Sequence, residues 1–230
     1  MTMSPPSNLT LLVDADDTMW ENEAHFREAA EWFLDLMQER GHDRDGASRR
    51  LREIESERCA RLGYGSLNFA RSLVDTVAAL DGACPRDLEE RLLAMGDAIC
   101  NYPIELFPGV FETLSELKTR HTLHVVTKGQ HDEQSGKVAR SGVRHHFGQV
   151  EVLPEKDLAQ YRALVERLKL DLDRTWMIGN SPRSDINPAR AVGMRTVFIP
   201  HRTIWELEDA TLDGEPELRC RRFRELLDHF

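Results

Sequence analysis

The sequence predicts an α/β domain built on a mostly parallel sheet and interrupted, just after its first strand, by an inserted bundle of helices. Three observations predict this. The short apolar run 9–13 ends abruptly in Asp14-Ala15-Asp16-Asp17-Thr18, the pattern of a strand buried on both faces. From about residue 21 to 104 the apolar residues recur every three or four positions and no strand-like run occurs, which is helical periodicity. Beyond residue 108, short apolar runs alternate with helical stretches, and strand–helix–strand repeats make right-handed crossovers into a parallel sheet.

The elements follow in order. Four apolar stripes mark four helices: Phe26, Ala30, Phe33, Leu34 and Met37; Leu51, Ile54 and Leu62; Leu67, Ala70, Val74 and Val77; Leu88, Leu92, Met95 and Ile99. Glycines at 41–46, 63–65 and 82–85 punctuate them as turns. After Pro108-Gly109 a helix at 110–118 precedes a strand at 123–127, and a helix at 131–140 precedes a strand at 149–153. A helix at 157–169 turns Tyr161, Leu164, Val165 and Leu168 inward; then come a strand at 175–179, a helix near 184–192, a strand at 196–200 and a final helix over 217–230. The expected division is a core domain of residues 1–17 and 105–230 with a helical domain at 18–104.

Charge and composition remove several function classes. With 30 Lys+Arg against 40 Asp+Glu the chain carries a formal charge of -10, a poor counterion for nucleic acid or an anionic membrane, so neither is expected as a partner. No apolar run approaches the ~18 residues of a membrane span, and the first eight residues lack the basic and apolar segments of a signal peptide. A cytoplasmic location is expected. Cys59, Cys84, Cys100 and Cys220 show no zinc or redox spacing and read as reduced, mostly buried thiols. His145-His146 reads as a solvated loop. Arg219, Arg221, Arg222 and Arg224 read as the wet face of the last helix.

Ligands of open parallel sheets sit beyond the carboxyl ends of the strands. Residues closing the strands are Asp14 and Asp16, then Thr127 and Lys128, then Asn180 and Ser181 with Asp185 shortly after; Glu155 and Lys156 follow the third strand. Carboxylates, a hydroxyl, an ammonium and an amide thus gather at one sheet edge, which suits phosphoryl transfer. One carboxylate can attack phosphorus. A second, two residues on, can protonate the departing oxygen and then activate water. An oxygen-rich acidic cluster holds Mg²⁺, while Thr127 and Lys156 hold the non-bridging oxygens. Lys128, beside Thr127, is a further candidate for substrate contact.

The ordered set resembles the four motifs of the haloacid dehalogenase-like superfamily of aspartate-nucleophile hydrolases. VDADDT at 13–18 is similar to its first motif, VVT at 125–127 to its second, Lys156 to its third and GNSPRSD at 179–185 to its fourth. The resemblance implies a Rossmann-like doubly wound core, with the helical insertion as an α-helical cap of the C1 type. It further implies Asp14 as nucleophile, Asp16 as general acid/base, and Thr127 and Lys156 as phosphate holders. Mg²⁺ would take the Asp14 carboxylate, the Asp16 carbonyl, Asn180 and Asp185. The fourth motif usually reads Gly-Asp; Asn180 keeps a carbonyl oxygen there and loses a negative charge.

The activity expected is a Mg²⁺-dependent phosphatase acting on a small phosphomonoester. An EF-hand at Asp14 fails, because positions six and twelve would be Met19 and His25. Asp16 argues against carbon–halogen cleavage, whose leaving group needs no acid. Residues 18–104 contain no lysine, which removes the Schiff base that a phosphonate hydrolase of this superfamily needs. A sugar-phosphate mutase and a non-turnover phospho-accepting signalling protein stand as alternatives. Two aromatic residues are candidates for substrate contact: Tyr64, between two glycines in a turn of the helical insertion, and Trp20, just after the Asp14–Thr18 loop. Tyr64 could equally pack on its own bundle, and Trp20 could pack at the junction with the insertion.

Overall fold

The computed structural model describes residues 8–203 and 205–230. The chain divides into two compact units, Met1–Glu21 with Ile104–Phe230, and Asn22–Pro103. The first is an α/β unit with a six-stranded parallel sheet in the order β3-β2-β1-β4-β5-β6. Its strands are β1 (Thr10–Val13), β2 (Thr122–Lys128), β3 (Gln149–Leu153), β4 (Thr175–Gly179), β5 (Arg195–Phe198) and β6 (Leu218–Arg219). The fold is Rossmann-like, with the central strand β1 flanked by β2 and β4.

Strand side chains alternate between faces, and the packing follows that rule. Leu11 and Val13 of β1, with Val125 and Ile178, bury against one layer that includes Val110, Leu114 and Leu117 of α5 (Val110–Leu117) and Val138 of α6 (His131–Arg140). Leu12, Val126 and Met177 bury against the other, where Tyr161 and Leu164 of α7 (Leu158–Leu168) and Ala189 of α8 (Asn187–Ala191) pack. With apolar layers on both faces, the strands read as near-continuous apolar runs. Among the described residues, no helix is long and apolar enough to cross a membrane.

The second unit is four helices: α1 (Glu23–Glu39), α2 (Arg44–Leu62), α3 (Ser66–Asp81) and α4 (Arg86–Cys100). Phe33, Met37, Leu51, Phe69, Leu73 and Leu92 centre its own core. The Asp43 carboxylate starts α2 by accepting from the Gly46 amide at 2.8 Å, satisfying one of the orphan donors of a helix N-terminus.

Several expectations are corrected. Leu62 and Leu67 are exposed, at 53% and 51%. The buried stripe of α3 runs through Phe69, Ala70, Leu73 and Val77, and at 100° per residue Leu67 falls outside it. The predicted helix near 184–192 is a π-helical turn, Pro182–Ile186, leading into the short α8. The predicted terminal helix over 217–230 is instead β6 followed by a 3₁₀ turn at Phe223–Asp228. Leu218 pairs with Val197, and Cys220 donates its amide to the Phe198 carbonyl at 3.0 Å. The sheet edge therefore claims the residues that propensity assigned to a helix. Arg219 accordingly lies over the Phe198 ring rather than on a helix face. Cys220 is buried, but Cys59, Cys84 and Cys100 are only half-buried. His146 is buried in a 3₁₀ turn, where desolvation lowers its pKa, while His145 stays exposed.

Gly96 of α4 makes the sharpest packing demand in the helical unit. A Cβ there would lie 2.6 Å from the Ala70 Cβ and 2.9 Å from the Ser66 carbonyl oxygen, so α3 and α4 cross in backbone contact. Alanine favours an isolated helix by about 1 kcal/mol over glycine, yet overpacking a tight contact costs about 1–3 kcal/mol. The clash is expected to win: Gly96→Ala should lower the urea midpoint, with the slope of the transition unchanged.

Candidate active site

β1 ends in a tight loop that folds back on itself. Met19 donates its amide to the Ala15 carbonyl at 2.9 Å, and Asp17 donates to the Trp20 carbonyl at 2.8 Å. Asp17 adopts φ 60, a left-handed conformation uncommon outside glycine. This turn brings Thr18 under Asp14: the Thr18 hydroxyl lies 2.8 Å from Asp14 Oδ2 and 3.1 Å from Asn180 Oδ1. Asp14 itself is anchored by its amide, which donates to Ile178 of β4 at 2.9 Å.

Lys156 closes the site from the segment between β3 and α7. Its ammonium meets Asp14 Oδ1 at 2.5 Å and Asp185 Oδ1 at 2.6 Å, and all three residues are buried. Asp185 is held by its other oxygen, which accepts from the Ser181 amide at 2.9 Å. A Cβ at residue 179 would lie 2.3 Å from the Asp185 carboxyl carbon, so only glycine fits at the end of β4. Burial raises the Asp14 carboxyl from 3.8 to about 7, with the Asp185 charge adding to the rise and Lys156 and Thr18 opposing it. For Lys156 burial acts downward, but the charges of Asp14 and Asp185 overcome it and hold the ammonium above its ordinary value.

Asp16, only two residues on, occupies a different environment. The Trp20 indole N–H donates to its Oδ1 at 2.8 Å, and Gln134 Nε2 donates to its Oδ2 at 3.0 Å. Lys137 of α6 reaches both oxygens, at 3.2 and 3.0 Å. Thr127, buried at the end of β2, donates to Gln134 Oε1 at 3.3 Å.

The remaining candidates separate. Asn180 is half-buried beside Thr18. Lys128 is paired with Glu208, lies 3.3 Å from Glu155 and donates to the Ser184 hydroxyl at 3.2 Å. Glu208 also accepts from the hydroxyls of Ser181 and Ser184, at 2.7 and 2.5 Å. Burial alone would raise its carboxyl, but Lys128 and the two serines hold it below the usual range. Trp20 is fully buried in the sheet core; expected as a pocket wall, it offers no open surface and serves instead as a donor to Asp16. Tyr64 lies in the second unit, half-buried in the turn between α2 and α3.

Asp14, Asp185 and Asn180 present carboxylate and amide oxygens, the donors a hard divalent cation takes. Two carboxylates against one ammonium leave this group net negative, and the Asp185 charge adds to the rise that burial imposes on Asp14. The set therefore fits Mg²⁺. A separate group, Asp17, Glu21 and His201, has ligating atoms within 4.8 Å of one another. His201 faces Glu21 at 3.4 Å and Asp17 at 3.9 Å, tying the segment after β5 to the loop after β1.

A family model described as haloacid dehalogenase-like hydrolase matches residues 9–193. The chain belongs to that family. A phosphoserine phosphatase from Thermus thermophilus is 26% identical over 151 residues, 63% of this chain and 58% of that protein. A glyceraldehyde 3-phosphate phosphatase from Methanocaldococcus jannaschii is 29% identical over 128 residues, 53% of this chain and 55% of that protein. The match thus spans little more than half the length of either relative. Among solved structures, a haloacid dehalogenase-like family hydrolase from Xanthomonas campestris superposes with a TM-score of 0.80 at 28% identity, covering 95% of this chain and 92% of that one. A 2-haloacid dehalogenase from Pseudomonas syringae gives 0.65 at 21% identity, covering 96% and 97%, and shares the fold.

Sequence reasoning did not single out Thr18, Gln134, Lys137 and Glu208 as individual site residues of this haloacid dehalogenase-like hydrolase. A signal existed for two of them. In α6 the buried positions are Gln134, Lys137 and Val138, so the helix turns a mostly polar stripe inward. Glu208 comes from an irregular stretch that carries no periodicity.

The Asp14 shift sets a stability prediction. Between about 4 and 7 the folded protein holds a proton on Asp14 that the unfolded chain has released, so its contribution to stability falls as pH rises through that window. In metal-free protein, Asp14→Asn should therefore raise Tm at pH 8, and the gain should shrink as pH falls toward 4. A gain on the order of 2–4 °C, about what 1 kcal/mol produces in a domain of this size, is expected by calorimetry in chelator.

Proposed function

We propose that the protein is a Mg²⁺-dependent phosphatase of a small phosphomonoester, acting through an aspartyl-phosphate on Asp14. The observation that carries this reading is the pair of carboxylates two residues apart in unlike settings. Asp14 is buried against Lys156 and Thr18, while Asp16 is held separately by Trp20, Gln134 and Lys137. Two titratable groups whose surroundings differ this way divide nucleophile and acid/base work between them.

In the first step an Asp14 oxygen bonds to phosphorus and the ester P–O bond breaks. Its electron pair goes to the departing oxygen, which takes a proton from Asp16. In the second, water attacks the same phosphorus and gives a proton to the Asp16 carboxylate. The bond to Asp14 then breaks and inorganic phosphate leaves. Lys156 and Thr127 stand where charge develops on the non-bridging oxygens. Asp14, the Asp16 carbonyl, Asn180 and Asp185 would hold Mg²⁺, which offsets the repulsion between the attacking carboxylate and a phosphate dianion.

The two relatives named as phosphatases support this reaction class, and Asp16 distinguishes it from carbon–halogen cleavage, in which no leaving oxygen needs a proton. The test is a screen of phosphorylated metabolites for released phosphate, with and without Mg²⁺. Repeated turnover that is lost in chelator and abolished by Asp14→Asn, with the fold intact, is the expected result. Normal turnover in Asp14→Asn would overturn the mechanism. A single stoichiometric phosphorylation without release would favour a phospho-accepting protein, and transfer of phosphate to a second sugar hydroxyl a mutase.

The helical unit is proposed as a C1-type cap that supplies substrate selectivity, with Tyr64 as its candidate residue. Tyr64→Ala should change the relative kcat/KM among phosphomonoesters more than about tenfold with little change in Tm. An unchanged ranking with lowered Tm would make the turn a connector.

A further inference from the structure

Asp16 is held by three buried donors while its carboxylate stays partly exposed. The Lys137, Trp20 and Gln134 side chains are buried, whereas the Asp16 carboxylate keeps 19% of its surface exposed. Both of its oxygens are engaged: Oδ1 by Trp20 and Lys137, Oδ2 by Gln134 and Lys137. A free aspartate side chain samples several rotamers. Four contacts converging from two elements leave this one a single seat.

Gln134 also joins that seat to the phosphate-holding strand. Its Nε2 donates to Asp16 while its Oε1 accepts from the Thr127 hydroxyl. Gln134 and Lys137 lie three residues apart on α6, hence on one face of the helix. The helix that follows β2 thus spans from the end of that strand to the loop after β1. It sets the separation between the carboxylate at 16 and the hydroxyl at 127.

We propose that Lys137, assisted by Gln134, is a positioning residue for the leaving group: it holds Asp16 in register with Thr127, so that a proton meets the departing oxygen of a phosphoryl group bound at Thr127. This inference rests on the reading of Asp16 as the acid/base. Its consequence is selective. An aryl phosphate, whose oxygen leaves readily as an anion, needs little proton transfer; an alkyl phosphate needs it fully. A displaced Asp16 therefore weakens alkyl ester hydrolysis and spares aryl ester hydrolysis. Misplacement by an ångström costs a large factor in rate without affecting ground-state binding.

The test compares β-glycerophosphate with p-nitrophenyl phosphate, in the presence of Mg²⁺. Lys137→Met is expected to lower kcat for β-glycerophosphate at least about tenfold, within the range of a general-acid contribution. The loss on p-nitrophenyl phosphate should be under about threefold, with KM for both little changed. Lys137→Arg should recover most of the loss. In an Asp16→Asn background, Lys137→Met should cost nothing further, since the residue acts through Asp16. Because Lys137→Met leaves a carboxylate without its cation and could fail to fold, Gln134→Leu supplies a second reading. It should shift the ratio of the two substrates in the same direction by a smaller factor. Equal losses on both substrates, a loss that adds to that of Asp16→Asn, or a fall in Tm with the ratio unchanged would overturn the proposal. Failure of the underlying reading looks different: Asp16→Asn would itself leave β-glycerophosphate turnover intact.

Discussion

The ammonium of Lys156 stands between Asp14 and Asp185, and without it two carboxylates would share a space closed to water. Coulomb repulsion between like charges a few ångströms apart is large in a medium of low dielectric, and removing one member of a buried ionic group leaves the others uncompensated. Burial, with the charge of Asp185 adding to it, keeps the Asp14 carboxyl raised even with Lys156 at 2.5 Å, and one cation against two anions does not balance. The site is thus held together by Lys156 and left short of one positive charge. That residual deficit is a property a hydrolase of phosphate esters can use, because it favours a divalent cation and through it an anionic substrate.

The same interaction explains the topology around it. Lys156 comes from the segment after β3, Asp14 from β1 and Asp185 from the turn after β4. β3 lies at one edge of the sheet, two strands from β1, so its lysine must cross the end of β2 to reach the centre. A four-carbon side chain spans that gap. The turn carrying Asp185 pays for its position with a glycine at 179, since no side chain fits beneath the carboxylate. Asp157 then caps α7 by accepting from the Gln160 amide at 2.8 Å, which fixes where the helix begins and so where Lys156 is launched.

The residues closing the strands were legible because β-structure places them by rule: a strand buried on both faces is a continuous apolar run, and the first polar residues after it lie at the sheet edge. The helical unit was legible by periodicity. What sequence reasoning missed has physical causes. Leu218 to Arg219 form a strand only because the open edge of β5 lies beside them, a tertiary demand that overrides local preference. The expected α3 stripe met the core at Ala70, Val74 and Val77 but misplaced Leu67, because Phe69 and Leu73 were left out of the pattern. Trp20 was read as a pocket wall or a junction residue, and Lys137 drew no reading, because the polar stripe of α6 does not by itself point to an aspartate 121 residues away.

Asn180, where the family pattern has aspartate, has a physical role in the network at Thr18. The Thr18 hydroxyl carries one proton and faces two acceptors, Asp14 Oδ2 at 2.8 Å and Asn180 Oδ1 at 3.1 Å; it can donate to only one of them. Turning the Asn180 amide about its Cβ–Cγ bond exchanges oxygen for nitrogen, an orientation that hydrogen bonding, not electron count, assigns. Nδ2 then donates to Thr18, Thr18 donates to Asp14, and both contacts are satisfied in series. An aspartate at 180 has no proton to give at neutral pH. It would compete with Asp14 for the one hydroxyl and add a third negative charge to a group that Lys156 already leaves net negative. The turned amide thus supports the orientation of Asp14 through Thr18.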